Sequence, residues 1–358
     1  MRNALSALLL SLALASPSPA APPKRPIIDM HLHAHGLDEY GGGGSVCTSD
    51  QALEFPAVDP RGGITIEKAE ACAKPIAAAA SDDAVMRESL QMLEEHGIVA
   101  AVTSGQLARV SAWRAAGGAK ILPAISFAGD ELVPIAELRR LYEEGKFAIF
   151  AEIGAQYRGR TLDDPIYEPY FALAEEVDIP VGVHLGEGPP GGPHTGDPRY
   201  RARLGHPLQL EDVLVRHPKL RLWVMHYGSP FVDEMIALLY SHPQVYVDVA
   251  QNDWGFPRAH FYSQLKRLID AGFAKRILWG SDQMLWPKTI PVAIETIEQA
   301  PFLSEKQKQD IFHDNAARFL RMSIAPTGSA SPNDLGAISR ERVDTCADGQ
   351  DFVARRIE

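Results

Sequence analysis

The chain has 358 residues, more than a minimal domain needs and enough for one large domain with extensions. Hydrophobic residues at 46% and charged residues at 23% match a globular protein with ample material for a core. The formal net charge of −11, with no local Lys/Arg cluster, excludes nonspecific binding of nucleic acid as a function.

In chain order, Arg2 precedes a largely apolar run from Ala4 to Ala15 that is too short to span a bilayer. Ser18 and Ala20 then form an A-x-A-like pair. Residues 1–20 therefore read as a signal peptide cleaved after Ala20, rather than as an uncleaved anchor. The expectation is an exported protein, periplasmic or secreted, with no membrane attachment after cleavage. Apolar runs suited to strands buried on both faces follow at Ile27–His33, Ile98–Ser104, Lys120–Phe127, Ala148–Gly154, Val181–Glu187, Arg221–Gly228, Val245–Ala250 and Ile277–Asp282. Amphipathic stretches lie between them, at Asp82–His96, Ala136–Glu144, Pro169–Val177, Leu208–Arg216 and Phe261–Ala271. Eight strands alternating with helices predict an α/β fold, a (β/α)8 TIM barrel, over residues 21–322; a doubly wound sheet is the structural rival.

Two segments break the rhythm. Gly36 to Ala80, containing GGGGS, is a long insertion after strand one; in a barrel it emerges at the catalytic face, as a lid would. Residues 323–358, rich in Ser, Pro, Gly and charge, read as a C-terminal tail. Of the three cysteines, Cys47 and Cys72 share the insertion and are the natural disulfide pair in an exported protein, with free thiols as the alternative; Cys346 lies in the tail.

The chemistry is concentrated at strand ends. Asp29-Met30-His31-Leu32-His33 puts two imidazoles at i and i+2, on one face and about 7 Å apart along the strand. Alone, an H-x-H pair says little. Glu152 in strand four, His184 near the end of strand five, His226 near the end of strand six and Asp282 at the end of strand eight change its weight. Each is an ionisable residue on an apolar run, expensive to bury unpaired, and barrel enzymes assemble their sites at that face. One metal centre accounts for all of them. Neutral imidazoles and carboxylates suit Zn²⁺, as one or two ions, with Mn²⁺ as the second choice.

The D-x-H-x-H opening, the strand-end histidines and the Gly-Ser-Asp close together resemble the amidohydrolase superfamily. The nearer likeness is to its amidohydrolase-related branch, which includes aminocarboxymuconate-semialdehyde decarboxylase, and it runs from Ile27 through the helix IFHDNAARFL. The resemblance implies that His31, His33, His184 and Asp282 are metal ligands. It also implies that His226 is catalytic or a ligand of a second metal, and that Glu152 occupies a position where some relatives carry a bridging carboxylate and others have none, which leaves one or two metals open.

Around this centre, Tyr157, Arg158, Trp254 and Trp286 are candidate substrate-binding residues. Arg158 suits a carboxylate clamp, or else an ion pair with Asp163 or Asp164. Asp248 reads as a partner for a ligand histidine. His35 and His194 read as loop histidines. Asp282 and His226 are the candidate catalytic residues: Asp282 as proton acceptor, His226 as a carbonyl polariser. The expected activity is metal-dependent hydrolysis of an ester, lactone or amide in a small carboxylate-bearing molecule. The alternatives are a non-oxidative decarboxylase of an unsaturated or aromatic acid, and a noncatalytic metal- or solute-binding protein. A homo-oligomer is compatible with the sequence.

Overall fold

The computed structural model describes residues 25–40, 43–127 and 132–322. The signal peptide, residues 1–20, and the tail, residues 323–358 with Cys346, lie outside the described residues.

The parallel strands β1 (Ile27–His33), β2 (Ile98–Ser104), β3 (Ile121–Phe127), β4 (Ile149–Ile153), β5 (Val181–His184), β6 (Leu222–Met225), β7 (Val245–Asp248) and β8 (Ile277–Leu278) are hydrogen-bonded in sequential order. The segment after β8 returns to β1. Met30 N donates to Trp279 O at 3.0 Å, Asp282 N to His31 O at 2.7 Å and His33 N to Gln283 O at 3.1 Å. A doubly wound sheet has two edges; here the eighth strand meets the first, so the protein is a TIM barrel.

A helix follows every strand: α1 (Asp82–Glu95), α2 (Leu107–Gly117), α3 (Ile135–Glu143), α4 (Glu168–Glu176), α5 (Glu211–Arg216), α6 (Val232–Ser241), α7 (Arg258–Asp270) and α8 (Thr289–Glu298). Local chemistry explains the first start: Ser81 caps α1 by accepting from Ala84 N, and Asp82 and Asp83 meet the positive end of the helix dipole. The expected helix Leu208–Arg216 is half 3₁₀, because Pro207 opens a tight turn to Leu210 before α5 begins. Val181, Val183, Leu222 and Val224 pack into one large apolar cluster with helix residues such as Phe171, Leu214 and Leu238. Alternate residues, including Ile28, Met30, Val102, Ala124 and Trp223, form a second cluster with Phe319, whose ring meets Trp223 edge-on at 5.5 Å.

The insertion after β1 is an ordered roof. Ser45–Val46 pairs antiparallel with Ile76–Ala77, Glu54 bridges to Ala71, and Cys47 is disulfide-bonded to Cys72 with Cα atoms 5.7 Å apart. Its anchors are the loops beyond β7 and β8. Ser49 N donates to Trp254 O (2.7 Å), Ser49 Oγ to Asp253 O (2.9 Å) and Trp286 Nε1 to Gly44 O (3.2 Å).

Candidate metal centre

The strands end where the chemistry begins. β5 stops at His184, β6 stops one residue before His226, and β8 stops four residues before Asp282, each shorter than its apolar run suggests. At His226 (φ 57°), Tyr227 (φ 40°) and Asp282 (φ 45°) the backbone enters the left-handed region, which breaks the ladder and turns each side chain off its strand axis. Gly280 permits the close approach this requires: a Cβ there would stand 2.7 Å from His31 Cβ and 3.1 Å from Ala250 Cβ.

Six side chains converge. His31 Nε2 lies 3.1 Å from His33 Nε2, 3.5 Å from Asp282 Oδ1 and 3.7 Å from Glu152 Oε2. His33 Nε2 lies 2.9 Å from Asp282 Oδ1 and 3.6 Å from Glu152 Oε2. The other Glu152 oxygen, Oε1, meets His184 Nδ1, and that nitrogen lies 3.1 Å from His226 Nε2. Two groups able to hold a cation result, His31–His33–Asp282 and Glu152–His184–His226, with one carboxylate oxygen of Glu152 facing each. A third grouping, His31–His226–Asp248, shares residues with both.

The outer nitrogen of each imidazole decides what the inner one offers. His226 Nδ1 lies 2.9 Å from the Ala250 carbonyl, which can only accept; Nδ1 therefore carries the hydrogen and Nε2 turns a lone pair inward. His31 Nδ1 faces Asp248 Oδ2 at 3.2 Å, with the same consequence for its Nε2. His33 Nδ1 faces Ser104 Oγ at 2.9 Å, and His184 Nε2 faces the Tyr157 hydroxyl at 3.0 Å. Asp248 is itself held rigidly. It accepts from Trp223 Nε1 (3.1 Å), His226 N (2.8 Å) and Ala250 N (3.1 Å). Asp29 plays a matching part at the barrel seam, accepting from His31 N, Ser281 N and Ser281 Oγ at 2.9, 2.9 and 2.6 Å.

Electrostatics favour a cation here. Burial lowers His226 to about 4, helped by neighbouring His184, so its imidazole is neutral at physiological pH. Burial opposes ionisation of Glu152, but His184 and His31 outweigh it and hold the carboxyl well below its ordinary range. Asp282 is likewise held low by His31 and His33 against burial. For His31, burial opposes charge, yet Asp282 and Asp248 push the imidazole well above its usual value, so a metal at its Nε2 would have to displace a proton before that lone pair is offered. Anionic carboxylates around inward-facing lone pairs form a pocket for positive charge, and an N/O donor set of this kind fits a Zn²⁺-type ion.

The centre lies in a cavity of about 710 Å³. Tyr157, Arg158, Trp254 and Trp286 all wall it, as do Val46, Phe55, Ile66 and Glu70 from the roof. Arg158 faces Asp197 at 3.9 Å rather than Asp163 or Asp164; Asp164 is paired with Arg160 at 2.6 Å. His35, read from the sequence as a loop histidine, stacks on His33 with ring centroids 4.5 Å apart and joins the wall, while His194, also read as a loop histidine, is exposed in a one-turn helix, Gly192–Thr195. Sequence reasoning gave no role to Ser104, Ser281 or Asp29. Ser281 and Asp29 lay inside the motifs it used; Ser104, at the end of an unmarked strand, carried no signal.

A closed (β/α)8 barrel with clustered His, Asp and Glu donors at its strand ends defines a TIM-barrel protein equipped to bind a metal. The chain belongs to the amidohydrolase family, whose sequence profile matches residues 28–322. Among solved structures it is similar to an uncharacterized TIM-barrel protein from Bordetella bronchiseptica (18% identity, TM-score 0.58, covering 83% of this chain and 98% of that one). It is also similar to the IDCase of Metarhizium anisopliae in apo form (15%, 0.51, 84% and 97%). A third is 4-oxalomesaconate hydratase from Rhodopseudomonas palustris (18%, 0.50, 82% and 95%). A curated relative, protein fluG of Emericella nidulans, is 20% identical over 184 residues; the match takes in 47% of this chain and only 20% of that protein.

Proposed function

We propose that the protein is a metal-dependent hydrolase acting on an ester, lactone or amide, exported to the periplasm or beyond. The observation that carries this reading is the straddling position of Glu152, one oxygen at His184 Nδ1 and the other within 3.7 Å of His31 and His33. His31, His33 and Asp282 would hold one Zn²⁺, and His184 and His226 a second, with Glu152 shared and Mn²⁺ as the alternative ion. A divalent cation so bound lowers the pKa of water and polarises a carbonyl.

The residues of the chain supply the rest. Asp282, anionic and fixed by its backbone bond to His31 O, accepts a proton from the attacking water and returns it to the leaving oxygen or nitrogen. The new carbon–oxygen bond forms as the bond to that leaving atom breaks, so one water is consumed for each ester or amide cleaved. Tyr157 orients His184, and Asp248 and Ala250 orient His31 and His226.

Decarboxylation is the competing reaction. The expectation of a substrate carboxylate rested on Arg158, and the nearness of Asp197 removes much of that support. Incubation with an ester, lactone and amide panel in ¹⁸O-water is the test. The label should appear in the acid product; release of CO₂ from a carboxylic acid without label would replace this reading with decarboxylation.

A further inference from the structure

The walls of the cavity specify a charge for the substrate. Beyond the metal donors, four carboxylates line it: Glu39, Glu70, Glu187 and Asp197. Glu39 is neutralised by Arg109 and bonds His35 Nδ1 at 2.7 Å, and Asp197 faces Arg158, the one Lys or Arg among the described lining residues. Glu70 and Glu187 have no ion-pair partner among the described residues. Glu70 accepts from Cys47 N at 2.9 Å; Glu187 accepts from Ser229 Oγ at 2.8 Å through Oε1, while Oε2 is sealed from water without a hydrogen-bond partner. Burial pushes both carboxyls upward, with neighbouring Glu67 adding to it at Glu70. Much of the remaining wall is apolar: Val46, Phe55, Ile66, Phe256, Met284 and Trp286.

Resting on the hydrolase reading of this cavity, we infer that the substrate is a largely apolar, aromatic-sized molecule that carries an amine and no carboxylate beyond the scissile group. Glu187 favours the amine through its charge, since Oε2 is closed to water and to any ligand and Oε1 already accepts from Ser229. It follows the candidate ligand His184 by three positions, and its backbone N donates to Ser229 O at 2.8 Å. The carboxylate is therefore fixed beside the reacting centre rather than on a mobile rim. Behind it, the Tyr227 hydroxyl donates to Gln264 Oε1 at 2.8 Å and Gln264 Nε2 bonds His260 Nε2 at 2.9 Å, while the single Ser229 hydroxyl hydrogen goes to Glu187. Ser229 and the backbone bond hold Glu187 in place, and no Lys or Arg among the described residues pairs with it. A carboxylate placed against the same wall would meet two like charges with one already compensated arginine to offset them.

The test uses three benzohydroxamates with the same metal-seeking head and different 4-substituents: aminomethyl, methyl and carboxymethyl. Binding to the metal-loaded protein is measured by titration calorimetry at low and moderate salt. The aminomethyl probe should bind about tenfold or more tightly than the carboxymethyl probe, with the gap narrowing as salt rises. Glu187→Gln retains an acceptor for Ser229 and should remove most of the aminomethyl advantage while leaving the methyl probe's affinity unchanged. Equal affinities, a preference for the carboxymethyl probe, an undiminished amine preference in Glu187→Gln, or no binding by any of the three would overturn the inference. The ¹⁸O experiment stands apart: label incorporation with an acidic substrate preferred would sink the specificity and leave the hydrolase reading intact.

Discussion

Asp248→Asn perturbs the centre without touching a candidate ligand. The wild-type carboxylate is fully buried and accepts four hydrogen bonds, from His31 Nδ1 and Trp223 Nε1 on Oδ2 and from the His226 and Ala250 amides on Oδ1. An asparagine keeps one oxygen. Whichever way the amide is turned, two N–H donors face an NH₂ group and lose their acceptor. Each buried donor left unsatisfied costs about 1–3 kcal/mol, so the variant should lose about 2–6 kcal/mol. At roughly 2–4 °C per kcal/mol for a domain of this size class, the midpoint of thermal unfolding should drop by several degrees at least. His31 also loses the partner that fixes its tautomer, which should weaken metal binding about 10–100-fold. Thermal unfolding with chelator present, and competition for Zn²⁺ against a chromogenic chelator, read the two effects separately. A variant with unchanged midpoint and unchanged metal affinity would refute the argument that Asp248 organises the site.

Three further outcomes follow from the same geometry. Asp282→Asn should retain most of its metal yet lose about 10²-fold or more in turnover, because an amide cannot take the proton; near-normal turnover in the metal-replete variant excludes Asp282 as the base. Reduction of the Cys47–Cys72 bond should alter KM and turnover more than the unfolding midpoint, since the bond staples the roof and not the barrel; the reverse pattern, measured by steady-state kinetics and calorimetry, removes the roof from the account. Glu39 is held at about 2, against the penalty of its burial, by His35, the Gly36 amide and Arg109. Its contribution to stability is therefore complete above its ordinary value of 4.5 and fades as pH falls from there through about 2, so Glu39→Gln should flatten the acid limb of the stability profile.

The barrel was readable because strands buried on both faces write themselves as unbroken apolar runs, and all eight keep their expected starts to within a residue; closure itself needed the backbone contacts of Met30, His33 and Asp282. The convergence of His31, His33, Glu152, His184, His226 and Asp282 was legible because ionisable residues at the ends of apolar runs have few ways to be buried. The end of β6 was misjudged because positive φ at His226 stops the ladder while apolar composition continues past the turn. Partners supplied by tertiary structure alone, such as Ser104 for His33 or Asp197 beside Arg158, leave no periodic trace. Asp197 stands 3.9 Å from Arg158 on the cavity wall, where the sequence offered Asp163 or Asp164 as the partner.

The central claim is that six side chains from five strand ends form one metal centre, and metal content tests it most directly. Purified protein equilibrated with Zn²⁺ and freed of excess should carry close to two ions per chain by elemental analysis. The folded His31→Ala/His33→Ala double variant should lose at least one of them, because a shell of few ligands cannot give up two imidazoles and keep its cation. Wild-type protein that folds but retains no metal, or a double variant that retains the full wild-type content, would contradict the account.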